Sequence, residues 1–462
     1  MAGILIVGTV LLDAPLELSM FVAMVVLMFI VYARGFSFAE VQEAAFDAIR
    51  NIIELVFILF SVGMLISTWA QSGTIPIIIR YGLELIEPSW FYIAAILLCS
   101  ATSLVTGTSW GTIGSVGIAL MAVGEGLGMP APVTAGAIIS GSYFGDKLSI
   151  LSDSTNLAAA ITRTPILKHI KYMLITTTPA YLMTLITFGL IGVLVPHGDT
   201  TGRTIQTTID GLESAYSLTW ATLIPVVLLI ILLLFKLPPF IAIFGGAVTA
   251  GLVAIFQQGA SLTDVVDSLH SGFVAETGQT NIDELVSGGG LISMAGLAML
   301  FIFAVGASGL LNRGGFVETL VNVFMRWANT RRRLMVLTSP IMLVALGLGA
   351  SLAFAAVMVG TLFSPAYKRL GLKSENLSRT IEDSGTVYDA FFPWGGGGIF
   401  AAGVLGVATL DYMPFMFFAF FSTIFSILVA VFQFKVRTCD PEPVVSSDEL
   451  TVAEGSRVIS NE

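Results

Sequence analysis

The stretch "GSYFGDKLSILSDSTN", residues 141–156, decides how the rest of the chain is interpreted. It combines two aspartates, a lysine and several hydroxyl side chains, and apolar segments lie on both sides of it. In a water-soluble protein it would be an ordinary surface loop. Its neighbours are membrane-compatible, however, because "AIISGSYFG" (residues 137–145) is mostly small and apolar. We therefore expect these polar residues within the apolar part of the protein.

The whole chain is too apolar for a soluble protein. Of its 462 residues, 55% are hydrophobic and 11% are charged, and the mean hydropathy is +0.91; soluble domains have about 25% charged residues. Many apolar runs approach the roughly 20 residues that cross hydrocarbon as a helix. Continuous runs of this kind predict helices and not the strands of a barrel. The predicted spans are 16–33, 52–70, 91–105, 173–195, 220–235, 240–256, 291–311, 334–354 and 412–434.

These features predict an all-α integral membrane protein with about ten to twelve transmembrane helices, partial spans included. The short apolar run 3–12 has no basic start and precedes a full-length span, so we expect an N-terminal helix and no cleavable signal peptide. The net charge of −10 disfavours nucleic acid as a partner, and much of it lies in a polar tail that we expect to be disordered. Basic residues beside the spans predict cytoplasmic ends at Arg34, Arg331, Arg332, Arg333, Lys435 and Arg437.

A second polar stretch, "NLSRTIEDSGTVYDAFFPWGGGG" (residues 376–398), has a composition similar to the first. The segments "LGMPAPVTAGAIISGSYFGD" and "LGLKSENLSRTIEDSGTVYD" both begin with Leu-Gly and end at the same offset on an aspartate, Asp146 and Asp389. Upstream of each, an apolar helix breaks at a glycine, in residues 60–76 and 303–318. Paired segments of this kind are typical of secondary transporters, whose substrate site lies where two repeats meet.

The repeats divide the chain into five expected regions. These are N-terminal helices and a cytoplasmic connector at 1–50, a first transmembrane repeat at 51–195, linking loops and spanning helices at 196–289, a second transmembrane repeat at 290–436, and a disordered acidic tail at 437–462.

The acids in the two polar stretches need a positive partner. A charged side chain near the bilayer centre costs roughly 2.5–3.5 kcal/mol on insertion scales, and helix packing through small residues does not account for acids. Carboxylates, hydroxyls and the free carbonyls of broken helices are hard oxygen ligands, which suit Na⁺. The predicted ion- or substrate-binding residues are Asp146, Asp153, Glu382, Asp383, Asp389, Thr108, Ser109, Thr112, Lys147, Ser149, Ser152, Ser154, Asn156, Ser384 and Thr386, with Asp146, Asp153 and Asp383 as the Na⁺ ligands.

The spacing of the acids limits how they act. In a continuous helix Asp146 and Asp153 would lie about 10 Å apart along the axis, too far for one small ion, so either the helix breaks or one acid has a different task. A carboxylate that holds either H⁺ or Na⁺ makes the two ions compete, which is the minimal mechanism of a sodium/proton antiporter. Lys147 either neutralises Asp146 or extends to an interface, or else it replaces a bound cation or holds an anionic substrate.

Other chemistry has little support in the sequence. It contains no HExxH, Cys-x-x-Cys or Walker A motif, so we expect neither an enzyme nor a cofactor. His169, His197 and His270 lack ligand spacing and are expected in loops or at interfaces. Trp110 and Trp394, one in each polar region, either line a substrate path or serve only in packing.

Four segments resemble the NhaC-type sodium/proton antiporter family of the ion transporter superfamily. They are "SGTIPIIIRYGLELIEP" (72–88), "TGTSWGTIGSVGIA" (106–119), "TAGAIISGSYFGDKLSILSDSTNLA" (134–158) and "NLSRTIEDSGTV" (376–387). The resemblance implies a multi-pass carrier of the bacterial inner membrane, with two inverted repeats, re-entrant hairpins and broken helices, that exchanges Na⁺ for H⁺ and contacts membrane lipid. Similar members exchange malate and lactate or carry amino acids, so a small organic anion or an amino acid is the alternative cargo. A homodimer is compatible with this interpretation.

The second repeat departs from the family pattern at two points. Where the family has a polar stretch with an aspartate, this chain has "GASLAF" (349–354), which has no acid. After "EDSGTV" it continues with "YDAFFPWGGGG", which introduces Asp389 and lacks the usual Asn after Trp394. Either Asp389 takes over the missing role, or the cavity is reshaped for an organic solute.

Overall fold

A computed structural model describes residues 14–50, 52–194, 202–349 and 351–439. The expected helix at 3–12 and tail residues 440–462 lie outside these ranges. The described chain is built from helices, with two isolated β-bridges and no longer strand pairing. The α-helices are α1 (Leu16–Ala33), α2 (Phe38–Arg50), α3 (Ile53–Gln71), α4 (Thr74–Leu85), α5 (Phe91–Thr106), α6 (Ser109–Thr112), α7 (Ile118–Gly126), α8 (Ala131–Leu148), α9 (Asp153–Ile161), α10 (Ile166–Leu194), α11 (Gly202–Ala215), α12 (Ile224–Leu234), α13 (Pro239–Gln258), α14 (Leu262–Ser271), α15 (Thr280–Val286), α16 (Ala295–Arg313), α17 (Phe316–Met325), α18 (Arg331–Gly349), α19 (Leu352–Arg369), α20 (Ser374–Ser384), α21 (Gly396–Leu405), α22 (Thr409–Tyr412) and α23 (Phe417–Phe432).

The length and composition of these helices confirm an all-α membrane protein. Among the described residues, six helices are long and apolar enough to cross a membrane: α1, α3, α5, α10, α13 and α16. The number rises to eight if two bent pairs count as one span each, with bends of 96° between α11 and α12 and 93° between α21 and α22. The predicted spans 220–235 and 412–434 contain α12 and α23, which are too short to meet the length criterion alone.

One predicted span is wrong. The hydropathy of residues 334–354 predicts a single helix, but α18 ends at Gly349 and α19 begins at Leu352. Ser351 between them has extended backbone, with φ −142° and ψ 126°, so the hydrogen-bond ladder of one helix does not continue into the next. Hydropathy does not detect this break because the residues around it are small and apolar.

Two glycines in the left-handed region separate helices at points that correspond in the two halves of the chain. Gly73, with φ +82°, lies between α3 and α4, and Gly315, with φ +68°, lies between α16 and α17. Residues with a Cβ rarely adopt this conformation, so these are the glycine breaks that the sequence predicts. Their recurrence supports two duplicated halves. The halves and their inverted orientation stay a prediction.

Helix α8, which contains the first half of the opening motif, packs closely against α5 through two of its glycines. A methyl group on Gly141 would lie 2.5 Å from the Ile96 carbonyl oxygen, and one on Gly145 would lie 2.4 Å from the Ser100 carbonyl oxygen. Glycines four residues apart allow two membrane helices to approach at backbone distance. Because Asp146 directly follows Gly145, this contact determines where the acid lies.

We expect Gly145→Ala to destabilise the protein by about 1–3 kcal/mol, because the added methyl group overpacks a backbone contact. The matched control is Gly296→Ala in α16, where the methyl group would have only Glu17 Oε1 nearby, at 3.9 Å. This control should be neutral or stabilising by up to about 1 kcal/mol, because Ala favours the helix. Thermal unfolding of both purified variants in one detergent measures the difference, and equal midpoints would contradict a tight α5–α8 contact.

Candidate functional site

A cavity of about 370 Å³ lies where the two polar stretches meet. Its wall contains Asp146 and Asp153 from the first stretch and Asp389 from the second. Residues at the N-terminal ends of six helices also line it, namely α3, α6, α9, α13, α19 and α21. Within the described part of the chain, no lysine, arginine or histidine lines this cavity.

Asp146 is held by a hydroxyl from a neighbouring helix break. The acid is 7% exposed, and the Ser109 hydroxyl donates a 2.7 Å hydrogen bond to Oδ2 of its carboxylate. Gly107, with φ +75°, ends α5, and the side chain of Thr108 then caps α6 by accepting from the Gly111 N–H at 3.1 Å. The break at Gly107 therefore starts α6 at the position that brings Ser109 to the acid.

Asp389 accepts hydrogen bonds from two aromatic donors and lies against a helix N-terminus. Trp110 Nε1 and the Tyr143 hydroxyl donate to its Oδ2 at 3.1 Å and 3.0 Å. The carboxylate also packs against the start of α21, because a methyl group on Gly397 would lie 2.4 Å from Oδ2. The first N–H groups of a helix lack intrahelical partners and have partial positive charge. The glycine tract of α21 thus leaves room for the acid beside groups that complement its negative charge.

The aromatic donors were only partly predictable. Trp110 both lines the cavity and stacks on Phe400, with ring centroids 4.5 Å apart, so the two roles considered for it are combined. Trp394 lies outside the cavity wall and donates to the Gly347 carbonyl at 2.7 Å. Tyr143 was not predicted, although its place three residues before Asp146 puts the two on one helix face.

Lys147 belongs to a second, fully buried cluster. Its Nζ lies 2.5 Å from Asp383 Oδ1 and donates to the Ser422 hydroxyl oxygen at 2.9 Å. The Thr176 hydroxyl donates to the same Asp383 oxygen at 2.9 Å. Both charged side chains are 0% exposed. Lys147 therefore neutralises Asp383, which is 236 residues away in sequence, and not its neighbour Asp146.

The same cluster contains a second basic and a second acidic side chain. Arg379 Nε lies 3.4 Å from Asp383 Oδ2, outside hydrogen-bond geometry, and its guanidinium lies over the Tyr172 ring. Glu382 is fully buried, and neither of its carboxylate oxygens has a hydrogen bond to the described residues. Thr386 lies near enough to Glu382 to interact, but not in hydrogen-bond geometry. Charged groups buried together in this way depend on each other for compensation.

The helix is broken between Asp146 and Asp153: α8 ends at Leu148 and α9 begins at Asp153. This is the first of the two alternatives that the spacing of the acids left open. Asp153 is exposed and lies with Ser154 on the cavity wall. Asn156 Nδ2 supports the break by donating to the carbonyls of Ile150 and Ser152.

The other predicted residues lie around the cavity or the buried cluster. Thr112 and Ser149 donate to the carbonyls of Thr108 and Leu104, and Ser152 caps α9. Ser384 and Thr386 are buried in α20 and the turn after it, and their side-chain hydroxyls have no hydrogen bond to the described residues.

The three acids predicted as Na⁺ ligands do not form one group. Among the described residues, no cluster of three or more His, Cys, Asp and Glu side chains has the arrangement of a metal site. Asp146 and Asp153 line the cavity, whereas Asp383 is paired with Lys147. The predicted position of His169 is wrong: it is fully buried, and its Nδ1 lies 2.8 Å from the Ser378 hydroxyl oxygen. His270 is exposed, and His197 lies outside the described residues.

Comparison with known proteins gives consistent matches over most of the chain. Residues 141–434 match the Na⁺/H⁺ antiporter family. The malate-2H⁺/Na⁺-lactate antiporter of Bacillus subtilis is 37% identical, over 89% of this chain and 88% of its own length. The Na⁺/H⁺ antiporter NhaC of Alkalihalophilus pseudofirmus is 35% identical over 84% of both chains. The arginine/ornithine antiporter ArcD of Halobacterium salinarum is 32% identical, over 90% of this chain and 87% of its own.

We expect Lys147→Met to lower the free energy of unfolding by about 3–5 kcal/mol, because Asp383 then remains buried without its main partner. Adding Asp383→Asn should recover more than half of the loss, since one charge of each sign is then gone. Cys99 is fully buried and Cys439 exposed, so a fluorogenic thiol reagent on a Cys439→Ser background reports unfolding through Cys99 alone. A double variant as unstable as the sum of the two single variants would contradict the pairing.

Proposed function

Because the chain belongs to the Na⁺/H⁺ antiporter family, we propose that it exchanges Na⁺ for H⁺, with Asp146 and Asp389 as the groups that bind either ion. It is a secondary antiporter and not an enzyme, and it is a multi-pass protein of the bacterial inner membrane. The observation that carries the proposal is the pair of buried carboxylates on a cavity wall that has no basic side chain among its described residues.

Competition for these carboxylates is what couples the two ions. A carboxylate with little exposure to water is costly to keep ionised unless a cation or donor groups compensate it. Either a proton or Na⁺ supplies that compensation, and one excludes the other from the same oxygens. The Ser109 hydroxyl beside Asp146 is a further hard oxygen for Na⁺. Asp153 and Glu54, both exposed on the cavity wall, attract cations toward it.

The cavity opens toward the cytoplasm in this proposal. Two of its lining residues, Ile52 and Pro239, lie two and three positions after the exposed basic residues Arg50 and Lys236, which precede α3 and α13. By the positive-inside rule these helix ends are cytoplasmic. The conformation is then the inward-facing one of an alternating-access cycle, in which one half of the protein moves against the other around a fixed site.

Asp389 takes over the role of the acid that the second half lacks. Ser351, from the stretch without an acid, lies on the same cavity wall as Asp389. The carboxylate of Asp389, which lies between α20 and α21, therefore reaches the same cavity that an acid at the start of α19 would reach. This supports the first of the two alternatives for the departure from the family pattern.

A second candidate cargo is an amino acid. The cavity is much larger than a single ion needs, and its carboxylates complement an ammonium or guanidinium group. The helix N-termini in its wall complement a carboxylate on the same molecule. The name of one relative, an arginine/ornithine antiporter, agrees with such a cargo. A dicarboxylate fits less well, because Asp146 and Asp389 would repel it and no described lining residue is basic.

In proteoliposomes with a preset pH gradient, we expect Asp146→Asn and Asp389→Asn each to lower Na⁺-driven proton flux at least tenfold. Each change removes charge-assisted contacts, which are worth about 1.5–3 kcal/mol. Asp411→Asn is the matched control, because Asp411 is exposed on α22 and does not line the cavity. In the unmodified protein, the Na⁺ concentration for half-maximal flux should rise as pH falls, since protons occupy the same oxygens. Unchanged flux in both cavity variants would refute this site.

The cargo is tested by adding solutes one at a time to the same vesicles. Na⁺ alone should dissipate the pH gradient if the first candidate is correct. If Na⁺ alone leaves the pH gradient unchanged and radiolabelled arginine or ornithine is exchanged, the amino acid is favoured instead. Exchange of malate as fast as that of arginine would contradict the charge argument for the cavity.

A further inference from the structure

A second cavity, of about 630 Å³, lies between the segment that precedes α18 and the last turn of α23. One part of its wall is basic and contains Arg326, Arg332 and Arg333, which are all exposed. The other part is apolar and contains Leu337 and Val431. This cavity shares no lining residue with the one that contains Asp146, and the proposed exchange does not use it.

The positive charge of this cavity is not compensated by the described part of the protein. None of its three arginines forms an ion pair with a described acid. Among the described residues, the Arg333 guanidinium donates only to the Asn329 side-chain oxygen, at 3.2 Å. Arginine guanidinium groups bind phosphate oxygens through several N–H donors at once. Three of them on one concave surface are complementary to a phosphate group.

The start of α18 adds to this positive charge. The helix begins at Arg331 and is 19 residues long, and its N-terminal turn, which has partial positive charge, contains Arg332 and Arg333. The Thr330 hydroxyl oxygen accepts from only one backbone N–H of this turn, that of Arg333 at 3.2 Å. Helix N-termini bind phosphate groups in many proteins.

The apolar part of the wall continues onto surface that would face hydrocarbon. Leu428 and Phe432, which lie beside Val431 on α23, are 39% and 74% exposed. Trp327, which also lines the cavity, is 59% exposed, and tryptophan is enriched where hydrocarbon meets headgroups. A ligand that fits both parts of the wall has a phosphate at one end and acyl chains at the other.

We propose that this cavity binds an anionic phospholipid of the cytoplasmic leaflet, with the lipid phosphate among Arg326, Arg332 and Arg333 and an acyl chain along Leu337 and Val431. The positive-inside rule puts these arginines at the cytoplasmic surface. Basic pockets at that surface bind anionic headgroups, to which each basic side chain contributes separately.

The test is native mass spectrometry of the purified full-length protein with phosphatidylglycerol or phosphatidylcholine added at equal concentration. The variant is Arg326→Gln/Arg332→Gln/Arg333→Gln. The matched control is Arg50→Gln/Lys168→Gln/Lys171→Gln, which removes three exposed basic side chains that do not line this cavity. We expect the arginine variant to retain roughly tenfold less phosphatidylglycerol than the unmodified protein. The control should retain phosphatidylglycerol, and phosphatidylcholine should be retained weakly by all three proteins.

Each other outcome overturns the proposal. Equal retention of phosphatidylglycerol by the two triple variants would show that the cavity does not select the lipid. Equal retention of phosphatidylcholine by the unmodified protein would show that the phosphate charge is not recognised. Displacement of phosphatidylglycerol by an equal concentration of glycerol phosphate would show that the site binds a soluble phosphate. Size-exclusion profiles of the variants identify any loss of folding before the lipid measurements.

Discussion

The structure depends on the compensation of charge that is buried in a membrane protein. Lys147, Arg379, Glu382 and Asp383 are all 0% exposed, and each would be costly in hydrocarbon if it were alone. The Lys147–Asp383 pair joins α8 to α20, which come from the first and second halves of the chain. Its 2.5 Å contact brings the two polar stretches together, and the cavity acids lie on the same two segments. The burial of this one ion pair therefore fixes the position of the cavity acids as well as that of the buried cluster.

Much of the fold follows from hydropathy and glycine. The runs at 16–33 and 91–105 are helices with almost the predicted ends, α1 and α5. A continuous apolar segment in lipid must hydrogen-bond its own backbone groups, and a helix does this within one segment. The breaks near Gly73 and Gly315 were also predictable, since positive φ favours glycine. The break at Ser351 was not, because its neighbours are apolar and hydropathy averages over them. The bends between α11 and α12 and between α21 and α22 depend on tertiary contacts that no local pattern reports.

The acids of the site were predictable as a set, but their partners were not. A carboxylate in an apolar segment needs compensation, and this selected Asp146, Asp153, Glu382, Asp383 and Asp389 before any contact was known. Of these five, Asp153 is exposed in the structure and the other four are buried. The choice of partner depends on the rotation of α8, which directs Asp146 to the cavity and Lys147 to Asp383. Adjacent residues on a helix point in different directions, so neighbours in sequence do not have to neutralise each other. Helix rotation is determined by contacts such as that of Gly145 with Ser100, in which a neighbour of Asp146 packs against a residue that is far from it in sequence.

The start of α21 has a further consequence for how this protein can change over time. The carboxylate of Asp389 occupies the space that a side chain at position 397 would fill. The backbone carbon of residue 389 would also lie only 2.7 Å from a methyl group at 397, so position 397 needs glycine whether or not an acid stands at 389. The acid can therefore be acquired late, in a lineage that already has the glycine, and lost again without releasing position 397. A change at 389 alone is enough for this wall to gain or lose a negative charge in evolution.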